Sequence, residues 1–493
     1  MLNKNEPMKN ILFLILISIS MISFAQSSTI SLEKAIKLAQ EKSTDYKVAE
    51  NRNRASYWRF KNYKANFLPQ VKLNATLPSY SNSTRRITND SGQDIFVNQN
   101  QSRVDANLSI SQNIPYTGGN LSINSSLERI DIYGNNPSTG YSVVPFSINY
   151  FQNSLFYNAF KWNKKIEPLL LEESKRDFVE SMEQIALTTS RQYFRLLKVQ
   201  KQLKISEKNA TTQDTLFRIA KARFKMGKIA ENDLLQMELS LLNSRNNVIS
   251  NQVALKSATQ KISRYLGLDS ENIELEIPKD LFLFDVDINK AIEEAKANRK
   301  SVIEFRRKRL QAEQELARVK GDNRLELNVR ANFGVSQQGP VFDELFNQFN
   351  QQQNVTLTVG IPLFDWGVSK SKRKMAQANL NLLNANVDEE EQAFEQEIYL
   401  HVLNWKNEKA FLNTAKKAQE IALKRYDITR KRYVLGKITI TDLNLAQQEK
   451  DRAIVSYLNS LEKFWVDYYT LRRLTLYDFI ANKKITTKDI LFE

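Results

Sequence analysis

The chain has 493 residues, 42% hydrophobic and 26% charged, with 13 Gly and 10 Pro, which excludes disordered and collagen-like chains and leaves long stretches free for helices. Cysteine is absent and the one histidine is His401; this removes disulfides, thiolate metal sites and cysteine nucleophiles and leaves little support for hydrolase or zinc chemistry. The formal net charge is +16, but Lys and Arg are interleaved with Glu, as from Glu172 to Glu183, and read as solvated helix faces rather than a nucleic-acid surface.

The first residues read as a secretory signal peptide, 1–25. Lys4 and Lys9 give a positive start, Ile11 to Ile22 is an apolar run, and Ser23-Phe24-Ala25 resembles a small-x-small cleavage site. The mature chain then begins at Gln26, or the leader itself starts at Met8. No later segment is long and apolar enough for a spanning helix. If the mature protein crosses a membrane, a closed β-barrel is the route left.

The rest is a duplication. "LEKAIKLA" (Leu32 to Ala39) aligns with "INKAIEEA" (Ile288 to Ala295), and "PQVKLNA" from Pro69 with "LELNVRA" from Leu325, at an offset of 256. "QNSLF" ending at Phe156 aligns with "GIPLF" ending at Phe364, at 208. "RFKMGKI…DL" from Arg223 matches "RYVLGKI…DL" from Arg432, at 209. The first repeat spans 26–268 and the second 287–482, with a connecting segment at 269–286 and a tail at 483–493.

Each repeat reads as helix, β segment, long helix, short glycine turn, long helix. The first helix runs from Ser31 to about Phe67, capped by Thr29 or Ser31 and ended by Pro69. The β segments, about 68–156 and about 324–364, alternate apolar and polar residues, as in Val71, Leu73, Ala75 and Leu77. That period of two suits a barrel with one oily and one wet face. Long helices are predicted at about 162–225 and 365–435, with partners at about 230–266 and 439–480. Along the partners, Leu235, Leu239, Leu242, Ile249 and Val253, with Asn246 filling one core position, follow a 4-3 spacing. So do Ile454, Leu458, Leu461, Trp465 and Tyr468. This period predicts coiled-coil packing, both within the chain and with other subunits. The fold class is mainly α with a β-barrel membrane part, more than half helical, its strands confined to 68–152 and 324–364.

"SLEKAIKLA", "FLPQVKLNA", "IPLFDWG" and the paired glycine turns, in this order, make the chain similar to the TolC family of outer-membrane efflux proteins over nearly its whole mature length. The resemblance implies a homotrimer closing one transmembrane β-barrel in outer-membrane lipid and one α-barrel in the periplasm. It further implies a passive exit duct for efflux or type I secretion, working with a periplasmic adaptor (membrane fusion) protein and an inner-membrane transporter. No enzyme activity, cofactor, metal or nucleic-acid partner is predicted. The alternative is a periplasmic coiled-coil adaptor or scaffold, which would not need two β insertions at equivalent places.

The family's entrance latch maps onto Asp233 and Tyr433. Its Arg position holds Ile438, with Lys437 beside it. An entrance ring of Asp maps onto Asp442, and a second family Asp is replaced by Leu445. Both Asp residues can equally serve as helix starts, where a carboxylate opposes the dipole. The turns at Gly227-Lys228 and Gly436-Lys437 are the candidate adaptor-docking tips. One departure stands out: the first repeat carries 48 more residues than the second between its matched β regions, and the surplus reads as two strands around Thr117-Gly118-Gly119-Asn120. The family usually has four strands per protomer; here the number is left open.

Overall fold

The computed structural model describes residues 29–134, 136–268, 273–278 and 284–486. The signal peptide, parts of the connecting segment and the end of the tail lie outside them. In chain order the elements begin with β1 (Thr29–Ile30), α1 (Leu32–Lys42), α2 (Thr44–Ala65), β2 (Gln70–Thr88), β3 (Asp94–Asn113), β4 (Asn120–Tyr133) and β5 (Ser138–Gln152). Then come α3 (Ala159–Lys225), α4 (Glu231–Leu266), β6 (Glu274–Leu275), α5 (Ile288–Asn298), α6 (Lys300–Asp322), β7 (Glu326–Gly339) and β8 (Asn350–Gly360). The chain ends with α7 (Val368–Val434), α8 (Ile440–Thr475), β9 (Tyr477–Asp478) and β10 (Lys483–Lys484). The described residues are 62% helical.

The described residues group into two compact units, one drawn from 29–50, 179–298 and 397–486 and one from 51–178 and 299–396. The second holds a sheet in the order β2-β3-β4-β5-β7-β8. Every neighbouring pair is antiparallel. Its register sorts the side chains by face. One row across the sheet reads Val71, Ile110, Ile123, Ile148, Phe333 and Gln353. The next row reads Lys72, Ser109, Asn124, Ser147, Gly334 and Gln352, and the one before it Gln70, Ser111, Ser122, Asn149, Asn332 and Asn354. Because side chains alternate along a strand, these rows lie on opposite faces. One face is apolar across five strands at this level, and β8 joins it with Val355 and Leu357, paired to Ala331 and Val329. Val71, Leu108, Ile110, Ile123, Ile148, Val355 and Leu357 are all exposed in the protomer.

Elsewhere in that unit, charges are paired. In the basic run from Arg306 to Arg309, the last three meet acids on α3 and α7: Arg307 bonds Glu173 at 2.6 Å, Lys308 bonds Glu390 at 2.8 Å, and Arg309 bonds Asp388 at 2.7 Å. These side chains are therefore engaged within the protomer, which weakens any nucleic-acid reading of the charge.

The other unit is helical. Its small β1–β6 parallel pair is held by the buried Tyr193, whose hydroxyl lies 2.8 Å from the Ile30 carbonyl and 2.6 Å from that of Glu276. Burial pushes this phenol well above its usual range. In the same unit the half-buried Tyr265, beside Asp45, is pushed up to about 12, chiefly by its burial.

Three sequence expectations need correction, and one open choice is resolved. The first helix is two, α1 and α2, divided at Ser43, which caps the second through a 3.1 Å bond from the Tyr46 N–H. Its counterpart divides between α5 and α6 at Arg299. The last long helix ends at Thr475 rather than near 480, because Leu476 takes a left-handed conformation (φ 48°). Strands are not confined to the two β segments, since β1 pairs with β6 and β9 with β10. Ser31 rather than Thr29 caps α1, accepting from the Lys34 N–H at 3.2 Å.

Candidate functional site at the paired glycine turns

The two turns close in the same way. Gly227 has φ +62° and Gly436 has φ +74°, a region open to glycine at little cost. The Gly227 N–H donates to the Phe224 carbonyl and the Lys228 N–H to that of Arg223, both at 2.9 Å. Gly436 donates to Tyr433 at 2.8 Å and Lys437 to Arg432 at 3.0 Å, the same pair of bonds 209 residues later. Each is a helix C-terminus wrapped over a left-handed residue, which satisfies carbonyls the helix leaves bare.

The structure brings the turns together through one apolar cluster. Leu216 and Ala220 of α3, Met237 of α4, Tyr426 and Tyr433 of α7, and Ile440, Leu443 and Ala446 of α8 form it. Leu234, Ile229 and Ile438 pack against it. Ile438 is thus part of this packing, whereas Leu445 is exposed. A polar layer flanks the cluster. Buried Lys450 donates to Asn209 at 3.1 Å, pairs with Asp451 at 3.0 Å, and lies 4.2 Å from the centroid of the Tyr426 ring. Such partners offset the hydration an ammonium loses on burial.

The repeated aspartates differ. Asp442 closes a capping box: its carboxylate accepts from the Thr439 N–H at 3.1 Å and the Thr439 hydroxyl at 2.7 Å, while its own N–H donates to that hydroxyl at 3.2 Å. Those bonds hold its carboxyl below the usual range. Asp233 stands at the same place on α4, but the cap there is Ala230, which has no side-chain acceptor. No hydrogen bond from Asp233 to Tyr433 is found within the protomer among the described residues. Tyr433 is buried, which raises its phenol; Arg223 opposes the rise and the charge of Asp233 adds to it.

Sequence reasoning missed Arg223. Its guanidinium crosses between repeats, donating to the Val434 carbonyl at 2.7 Å and that of Tyr433 at 3.4 Å, with its centre 5.9 Å from the Tyr433 ring centroid. A cation at bare helix carbonyls is favourable. Lys228 and Lys437 are exposed, as are Met226 and Leu435 just before the glycines. Among the described residues, no group of three or more His, Cys, Asp or Glu could hold a metal ion. His401 is no surface ligand: its Nε2 lies 2.8 Å from the Asp467 carbonyl, and burial lowers its pKa.

Paired helical hairpins with matching glycine tips, and a sheet apolar on one face, give a fold shared with solved outer-membrane channels. The fold resembles that of the Campylobacter jejuni CmeC outer membrane channel, with a TM-score of 0.65 at 14% identity, over 90% of this chain and 85% of that one. It resembles the outer membrane protein VceC of Vibrio cholerae at 0.64 and 14%, over 90% and 95%. A membrane protein from Pseudomonas aeruginosa scores 0.67 at 10%, over 94% and 92%. No curated protein matches the chain in sequence. Residues 291–475, most of the second repeat, match the family described as outer membrane efflux protein. The chain carries that family's domain, so the TolC-type resemblance stands; the family is one of outer-membrane channels with a large periplasmic part, not of enzymes.

Proposed function

We propose that the chain is the outer-membrane exit duct of a tripartite efflux or type I secretion system, a passive conduit from periplasm to exterior. The observation that carries this reading is the sheet. Its alternating rows present oil to one side and hydroxyls and amides to the other, while β2 and β8 have open edges. In lipid an unpaired strand edge is untenable, so the edges call for other copies of the chain, and a homotrimer closes them. A periplasmic adaptor or scaffold would have no use for such a face.

The glycine turns are the docking tips for a periplasmic adaptor, in turn coupled to an inner-membrane transporter. Exposed Met226 and Leu435 beside Lys228 and Lys437 give each tip an apolar contact flanked by a cation. Asp233, Tyr433 and Asp442 act at the entrance, Asp442 as the charge of a threefold ring and Asp233 as the latch toward Tyr433. The test combines fractionation with bilayer recording. The expected result is a heat-resistant trimer in the outer-membrane fraction that conducts ions without an energy source. A soluble periplasmic monomer would sink the reading.

A further inference from the structure

We infer that all six strands of each protomer lie in the membrane wall, so that the pore closes with eighteen strands rather than twelve. This rests on the trimeric channel reading above and adds the width of its outer opening. The first repeat supplies β2, β3, β4 and β5, and the second only β7 and β8. The edge hairpin β2–β3 could instead fold away from the wall and leave β4 as the edge strand. Two observations argue against that.

The first is register. The apolar row Val71–Ile110–Ile123–Ile148–Phe333 passes without interruption from the first repeat into the second, with a wholly polar row on either side of it. A hairpin in water has no reason to keep an oily face level with that of its neighbours. The second is pairing. β3 and β4 are joined over fourteen residue pairs, from Asn100↔Tyr133 to Asn113↔Asn120, without a bulge. That is longer than the 9–11 residues a tilted strand needs to cross the hydrocarbon. Polar residues dominate toward the far end of the β2–β3 hairpin, where Ser79 to Thr88 pairs with Asp94 to Arg103, overlapping four of those fourteen pairs. That end of the hairpin is the part that stands in water.

With strands about 4.8 Å apart and tilted about 40°, eighteen strands give a backbone radius of about 18 Å, against about 12 Å for twelve. The membrane opening then exceeds twice the cross-section of a twelve-stranded one. It suits bulky hydrophilic cargo as well as small solutes, and places size selection at the helical entrance.

Disulfide trapping distinguishes the alternatives, and the absence of native cysteine gives a clean background. With six wall strands, β2 of one protomer lies beside β8 of the next; with the β2–β3 hairpin outside the wall, β4 takes that place. Leu73→Cys is combined in turn with Val355→Cys, Leu357→Cys and Val359→Cys, and Ile123→Cys with the same three. The expected result is a covalent trimer from a Leu73 pair and none from any Ile123 pair. Crosslinking through Ile123, or through neither position, overturns the inference. A spin label on Leu357→Cys separates this from failure of the channel reading. If that label is reached by oxygen but not by a water-soluble relaxer, the chain is in lipid whatever the strand count.

Discussion

α4 and α8 are equivalent helices of the two repeats, each 36 residues long, yet their heptad stripes meet opposite fates. On α8, Leu458, Leu461, Trp465 and Tyr468 are buried within the chain. On α4, Leu235, Leu239, Leu242, Ile249 and Val253 are all exposed, Val253 at 67%. What α4 buries is another stripe, including Met237, Leu241, Ser244, Ala258 and Ile262. It therefore has two apolar faces, one for its own chain and one left over. The duplicated helices have divided their labour: one completes the protomer and the other keeps a second apolar face exposed.

The sharpest way to break this comparison is to charge the exposed stripe. Leu239→Glu with Leu242→Glu is expected to abolish the trimer on native gels while leaving the helical circular dichroism of the chain intact. If assembly survives, the stripe faces lipid-free water and the division of labour is wrong. On α8, Leu461 is fully buried, and Leu461→Ala is expected to destabilise the protomer itself by about 2–5 kcal/mol, read as a lower unfolding midpoint.

Smaller effects are expected at the tip. Arg223→Ala removes donors from the end of α7, a loss of about 1 kcal/mol that should appear as faster amide exchange near Val434 and Leu435. Arg223→Lys should restore part of it, since a lysine lacks the fork that reaches two carbonyls. Asp442→Ala should lower cation preference in a planar bilayer, whereas Asp233→Ala with Tyr433→Phe should raise conductance. Unchanged values in folded trimers would leave these residues with helix-terminal roles alone.

The smallest expected effect is a pH slope at His401. Burial lowers its folded pKa, with Asp467, Glu397 and Arg473 nearby. Its contribution is complete above the ordinary imidazole value of about 6.5 and falls as pH drops through it, because the unfolded chain takes the proton first. Below the depressed folded value the loss levels off. The wild-type melting temperature should therefore fall more between pH 7.5 and 6 than that of His401→Gln; equal slopes would contradict the assignment.

The long helices and their turns were legible because duplication wrote them twice, and Arg, Gly and Lys at fixed spacing repeat the same capping bonds. The strands were legible from their alternation, including the surplus pair around Gly118. What a heptad stripe does not encode is whose surface covers it, so the α4 stripe looked like that of α8. The breaks at Ser43 and Arg299 carry no glycine or proline to announce them. Arg223 escaped notice because its partners are carbonyls, which no sequence pattern marks. The contrast between Asp233 and Asp442 depends on a residue three positions earlier, alanine in one repeat and threonine in the other.

The reach of Arg223 across the repeats has a mechanical consequence. The end of one hairpin is tied to the end of the other by a side chain, not merely by adjacency, so neither tip can swing outward without dragging or releasing its twin. In the proposed trimer, a partner that gripped a single tip would thus move both, and three such couplings would open the mouth as six linked levers rather than as independent flaps.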